Sequence, residues 1–247
     1  YYTDGGSLDS GTVGGSMRVH VIDLTTNQVR QLATDFASGV SGLFISRNGA
    51  YAGAVDAGSG SNFVFNTRSS SITAQTPVGA TGATGVFGIT DDGAYMFSST
   101  ADINSQNPSL FRQIWSYDIG TSTTTKLSSL SAANVMSNGI LSPDGSRILF
   151  HSTNNYTGEN GSATRQVFSF DVAAKQFTQM TNFTSNVLNG ATNISADGSK
   201  LLSVDNTQIF SVDITPDRTS VEFEVGHGSS GTIAVQIGAV LNAVRGL

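Results

Sequence analysis

Three histidines, two glutamates two residues apart and a scatter of aspartates are the side chains of this 247-residue chain that could do acid–base or metal chemistry. It contains no cysteine, which excludes thiol nucleophiles, disulfides and Cys-ligated zinc. His20 and His151 fall in strand-like stretches far apart, and His227 falls in a polar turn. A zinc or manganese centre needs two or three histidines near carboxylates, a grouping this spacing does not predict. GHGSSG, beginning at Gly226, lacks the G-x-S-x-G spacing of a nucleophile elbow. Glu222 and Glu224 share one strand face and could form an acid pair. On the alternating stretch Val221–Val225 they read instead as the solvent side of an amphipathic strand. Asp92, Asp144 and Asp197 each precede a turn glycine. Asp118, Asp171 and Asp213 each close a strand and are expected to cap the next turn through side-chain-to-backbone bonds. None has the spaced oxygen ligands of a calcium loop. The expectation is therefore no catalytic residue and no cofactor, with a non-catalytic protein favoured over an enzyme. Asn155, Asn160, Asn182 and Asn193 open N-x-Ser/Thr sequons, relevant only in a glycosylating host.

The elements that position these residues are short strands. Lysine and glutamate occur three times each, whereas glycine occurs 28 times and the polar surface is Ser, Thr, Asn and Asp. These residue types favour turns and strands over helices. Charged residues are only 12% of the chain, yet 38% is hydrophobic, enough for a core and unlike a disordered chain. A net charge of −6 argues against a nucleic-acid grip, and no apolar run reaches the length of a transmembrane helix.

Two signatures recur in step. LFISRNGAYAGAV, FGITDDGAYMFSS, GILSPDGSRILFHS and TNISADGSKLLSV centre on Gly49, Gly93, Gly145 and Gly198, spaced 44, 52 and 53 residues apart. Each Asn-Gly or Asp-Gly predicts a two-residue hairpin turn with positive φ at both central positions. A second signature ends at Asp23, Asn66, Asp118, Asp171 and Asp213, at steps of 43, 52, 53 and 42. Its closest copies are RQIWSYDI (Arg112 to Ile119) and RQVFSFDV (Arg165 to Val172). The fourth unit predicts strands at Gly139–Ser142, Arg147–Ser152, Gln166–Val172 and Lys175–Thr181. The third strand of each unit is apolar on both faces, as a strand between stacked sheets must be. Four-stranded units repeated every 40 to 50 residues predict an all-β fold, a β-propeller of antiparallel blades with about five blades visible.

SPDGSRILF, then QVFSFD, then a short strand ending in Thr resembles the TolB-like propeller repeat, which is also found beside prolyl-oligopeptidase-type peptidases. The resemblance covers about residues 1–213. It implies a protein-binding or scaffold module at a bacterial envelope or surface, periplasmic or extracellular, with a protein partner. Some TolB-like propellers are metal-dependent polysaccharide lyases, which keeps His151 as the one metal candidate and a lyase or peptidase propeller as an alternative reading. The first unit aligns from within its second strand, so its inner strand is expected either upstream or from the C-terminus. Residues 1–218 read as the propeller and 219–247 as a C-terminal β-hairpin with a short helix. Val225, Gly226, Thr232 to Ile237, Gly246 and Leu247 resemble the β-hairpin of the flagellin core. That resemblance implies a further alternative, a propeller displayed by a filament subunit capable of polymer assembly. The expected placement is the bland one: a fourth strand for the last blade, a closing strand and a terminal helix.

A partner is expected on the long loops between second and third strands: Thr3 to Ser16, Asp56 to Ser61, Ser99 to Leu110 and Thr153 to Thr164. Their candidate ligand-binding residues are Arg112, Arg165, Tyr156 and Asn155. Either arginine could meet an acidic partner or pair with a neighbouring blade.

Overall fold

The computed structural model describes residues 2–4, 18–32, 40–56, 62–68, 71–75, 85–184, 192–195, 200–204, 209–213 and 221–224. Among them lie nineteen strands and one three-residue 3-10 turn, Ile103–Ser105. The chain forms two compact units, residues 1–131 and 132–247.

The first unit holds three sheets. One is three-stranded, with β1 (Tyr2–Asp4), β2 (Arg18–Asp23) and β3 (Gln28–Gln31) in the order β1-β2-β3. The next contains β4 (Val40–Ile45), β5 (Tyr51–Asp56), β6 (Asn62–Asn66) and β7 (Ser71–Gln75). The third contains β8 (Gly85–Ile89), β9 (Ala94–Ser99), β10 (Gln113–Asp118) and β11 (Thr123–Lys126). The second unit holds β12 (Ser137–Leu141) to β15 (Gln176–Gln179), with β13 at Arg147–Ser152 and β14 at Gln166–Asp171. Its other sheet contains β16 (Thr192–Ile194), β17 (Lys200–Val204), β18 (Ile209–Asp213) and β19 (Val221–Glu224). Among the described residues every pairing joins consecutive antiparallel strands. The four strands expected in the fourth repeat all form, within a few residues of the expected bounds.

Tyr2 pairs with His20, and Phe150 pairs with Phe168. Both residues shift by the same number between the two sheets, so β1 occupies a second-strand position, and among the described residues the first sheet has three strands. At the other end, Val221–Glu224 pairs with Ile209–Val212 and completes the last sheet. Glu222 lies opposite Ser211 and Glu224 opposite Ile209. Residues 225–247, including the rest of the expected hairpin, the terminal helix and all of the flagellin-like residues, lie outside the described residues.

Packing follows the two-faced pattern of the sequence. Val19, Leu32, Ala52, Ala54 and Phe65 bury one face of the β4–β7 sheet. Val64, Ile89, Tyr95, Phe97, Trp115, Tyr117 and Ile119, with Phe44 and Tyr51 against them, bury the other. Neighbouring β6 residues therefore serve opposite cores. The end of the Phe44 ring reaches over its cross-strand partner Gly53; a Cβ there would sit 1.7 Å from the Phe44 Cζ. In the second unit Phe150, Phe168, Phe170 and Phe177 make a ring cluster with centroid spacings from 4.8 to 6.2 Å.

The glycine turns form, but not as two-residue turns. Gly49, Gly93 and Gly145 have φ of +70°, +94° and +74°, whereas the preceding Asn48, Asp92 and Asp144 do not have positive φ. Each glycine N–H instead closes a turn on Ser46, Thr90 or Ser142. The Asn or Asp oxygen accepts that residue's hydroxyl, at 2.9 Å for Ser46 and 2.6 Å for Ser142, and also within Thr90–Asp92. The same hydroxyl oxygen accepts the N–H of Tyr51, Ala94 or Arg147 at 2.8–3.0 Å. The short polar side chain satisfies the turn locally, so only the glycine needs the left-handed region. Ser195 accepts from Lys200 in the same way at 2.9 Å, while Gly198 lies outside the described residues. Asn48 also ties two sheets together: its N–H and Nδ2 donate to Asp91 at 2.6 and 3.2 Å.

Candidate functional site: the loops between second and third strands

Two of the four long loops are described, residues 100–112 and 153–165, and they are built alike. A buried asparagine stands at the centre of each. Asn107 Nδ2 donates to the carbonyls of Thr100, Ala101 and Phe111 at 3.1, 3.2 and 2.8 Å. Asn160, 53 residues later, donates to Thr153, Asn154 and Thr164 at 3.1, 3.3 and 2.8 Å. The N–H of each is taken by a side chain five residues back, Asp102 at 2.5 Å and Asn155 at 2.9 Å. Each loop then turns through a left-handed residue, Leu110 at φ 55° and Ala163 at φ 51°. One buried carboxamide satisfies three carbonyls that a loop of this length would otherwise leave to solvent.

The exits are anchored by Gln113 and Gln166, both buried. Gln113 accepts from Ser128 Oγ and Leu130 N–H at 2.8 and 2.9 Å and donates to Leu130 O at 2.7 Å. Gln166 accepts from Thr181 Oγ1 and Phe183 N–H at 2.9 and 2.8 Å and donates to Phe183 O at 2.8 Å. In the sequence Asn160 reads only as a sequon, and Asn107, Gln113 and Gln166 carry no assigned role. The available signal was their recurrence at the 53-residue spacing of the best-matched repeats, with Ser128 and Thr181 recurring alongside.

The candidate ligand-binding residues belong largely to this framework. The Asn155 side-chain oxygen is the acceptor just described. Tyr156 stacks on Phe177 at 4.8 Å and meets Phe168 edge-on at 5.0 Å, so its ring anchors the loop to the aromatic cluster. Half-buried Arg112 donates to Ser98 Oγ at 3.2 Å within its own sheet. Half-buried Arg165 lies near His151, the position equivalent to Ser98. His151 is fully buried on β13. Burial first, and the Arg165 charge second, lower its pKa to about 4. A neutral imidazole beside a guanidinium is a poor place for a cation. His20 is also buried, on β2, in a different unit, and His227 lies outside the described residues. Among the described residues no three His, Asp or Glu side chains come together as a metal group.

The strand-closing aspartates cap as expected. Asp118 accepts Thr121 N–H at 2.8 Å and Asp171 accepts Ala174 N–H at 2.7 Å. Asp23 accepts from Thr25 at 2.8 Å, and that backbone donor lowers its pKa. The turn following Asp213 lies outside the described residues. Asp144 is likewise held below the ordinary carboxyl range, chiefly by the Ser142 hydroxyl. Of the sequons, Asn160 has its amide nitrogen buried and bonded to three carbonyls, which leaves no room for a glycan.

No protein-family model and no curated protein matches the chain by sequence. By structure it is similar to TolB from Acinetobacter baumannii, with 18% identity and a TM-score of 0.54 over 79% of this chain and 45% of that one. A protein described as a TolB from Agrobacterium tumefaciens has 17% identity and a TM-score of 0.57 over 85% of this chain and 76% of that one. A β-propeller domain from Myceliophteria thermophila has 14% identity and a TM-score of 0.53, over 85% and 65%. The fold is a β-propeller. Its sheets are the blades, and the chain spans less than half the length of the Acinetobacter TolB. Among the described residues no helix is long and apolar enough to cross a membrane.

Proposed function

We propose that this propeller is a non-catalytic binding or scaffold module that holds a protein partner on its second-to-third-strand loops, at a bacterial envelope or surface. The observation that carries the reading is the pair of loops with one shared framework and different exposed tips. In the third blade the exposed positions are Asp102, Asn104, Ser105, Gln106, Pro108, Ser109 and Leu110. In the fourth, Asn155, Gly158, Glu159 and Gly161 to Ala163 are exposed. A framework repeated by buried hydrogen bonds, carrying tips that vary, is how rigid scaffolds present recognition surfaces. Resemblance to the TolB-like repeat supports the choice of a protein as partner.

Photo-crosslinking in cells of the source organism tests this. A photoreactive residue replaces Ser105, Glu159 or, as a control at the opposite end of the strands, Thr25. The reading expects a discrete protein species captured from either loop position and not from Thr25. Capture of the same mixture from all three positions, or from none, would count against it.

A further inference from the structure

We infer that Asn48–Gly49 is a self-modifying site: the turn activates the Asn48 carboxamide for cyclisation by the Gly49 nitrogen, and the product releases a tie between two sheets. Asn-Gly pairs occur at Asn48, Asn138, Asn160 and Asn189. In such a pair no side chain crowds the following nitrogen, which can reach the carboxamide carbon and close a five-membered imide. The Gly49 nitrogen gives up its proton and bonds to Asn48 Cγ. The Cγ–Nδ2 bond then breaks, and ammonia leaves with that proton. Water, the one co-reactant, opens the imide to aspartate or to its β-linked isomer.

The turn supplies what this addition needs. As nitrogen adds to Cγ, negative charge gathers on Oδ1, and two donors already meet that oxygen. They are Ser46 Oγ and Ala50 N–H, each at 2.9 Å. The repeat fixes the oxygen's place, because Asp144 accepts from Ser142 Oγ and Ser146 N–H in the same way, at 2.6 and 3.0 Å. Donors placed in advance stabilise an oxyanion. Asn48 is exposed, so water reaches it and ammonia escapes. The opposing element is the Gly49 N–H bond to Ser46 O at 3.0 Å, which must open before attack. Asn160 is the contrast. It is buried, its Nδ2 is held by three carbonyls, and its Oδ1 meets the Thr164 hydroxyl at 3.2 Å. Asn138 lies within β12, and Asn189 lies outside the described residues.

The product suits its turn and breaks its tie. Aspartate is the residue of the sister turns at Asp92 and Asp144, so the acceptor survives. The Nδ2 donor to Asp91 O at 3.2 Å does not. A second carboxylate then stands beside that of Asp91, which accepts the Asn48 N–H at 2.6 Å.

The test incubates the purified full chain in heavy-oxygen water, folded and in urea, and follows each Asn-Gly peptide by mass spectrometry. The urea rates are those of the unfolded chain. Folding is expected to leave Asn48 at least as fast as in urea and to slow Asn160. Ser46→Ala removes one donor from Oδ1 and is expected to slow Asn48 by about tenfold or more, whereas a turn that is merely looser would speed it. Asn48→Asp reproduces the product and is expected to speed hydrogen exchange at residues 90–94. A folded Asn48 slower than in urea, or a Ser46→Ala chain as fast as the parent or faster, overturns the inference. Unchanged exchange in Asn48→Asp overturns the release of the tie.

Discussion

Acidification should weaken the second unit through a single side chain. His151 is buried on β13, pairing with Ser137 on one side and Val167 on the other. Burial and the Arg165 charge bring its folded pKa from 6.5 to about 4. The folded protein therefore keeps the imidazole neutral where the unfolded chain protonates it. Because the folded value lies below the unfolded one, stability is complete above pH 6.5, falls as pH drops through 6.5, and stops falling below about 4. At 1.36 kcal/mol per unit the full loss is roughly 3 kcal/mol, of which about 2 kcal/mol is gone by pH 5. The assay is urea unfolding followed by circular dichroism at pH 7.5 and 5.0, on the parent and on His151→Ser. Serine is the residue of the third blade at this position, Ser98. The cavity it leaves costs stability at both pH values and cancels in the difference, as do the other two histidines. The parent should lose about 2 kcal/mol more than the variant over this interval. Equal losses would refute the assignment of His151 as a buried neutral group.

Three further substitutions test the packing and turn arguments. Gly53→Ala drives a methyl into the Phe44 ring and should cost about 1–3 kcal/mol in urea unfolding, a cost that disappears when Phe44 is already Ala. Lys175, exposed and held at φ 57° in the β14–β15 turn, should gain up to about 1 kcal/mol on Lys175→Gly, read as a higher urea midpoint at unchanged slope. Asn160→Asp replaces an amide donor by an acceptor facing three carbonyls. It should cost about 3 kcal/mol and speed hydrogen exchange across residues 153–164 before the rest of the sheet.

The sheet pattern was legible because it is written twice, in glycine-turn spacing and in the apolar third strands. Repeats fold alike, so a period visible in the sequence becomes a period of sheets. The geometry of the turns was misjudged. Asn-Gly and Asp-Gly suit a two-residue turn equally well, and only the serine or threonine two positions before the Asn or Asp, a partner that the dipeptide rule ignores, shifts the balance. The loop residues were harder still. Tyr156 and Asn155 drew attention by lying in a long polar segment, yet their contacts, with Phe177 and with the Asn160 N–H, are set by how that segment folds back. Conversely, Asn107, Asn160, Gln113 and Gln166 look like surface amides in a chain rich in them. Their burial is a property of the loop and not of the residue type.

The strictly consecutive strand order has a consequence for how the molecule is made. Among the described residues each sheet pairs only neighbouring strands, so each of these ladders closes over a short stretch of chain at small entropic cost. A blade can thus complete its own pairing as soon as its fourth strand has left the ribosome, before later blades exist. The slow part of folding then falls on stacking one finished sheet against the next, and the exposed faces of early blades are the surfaces a chaperone would meet.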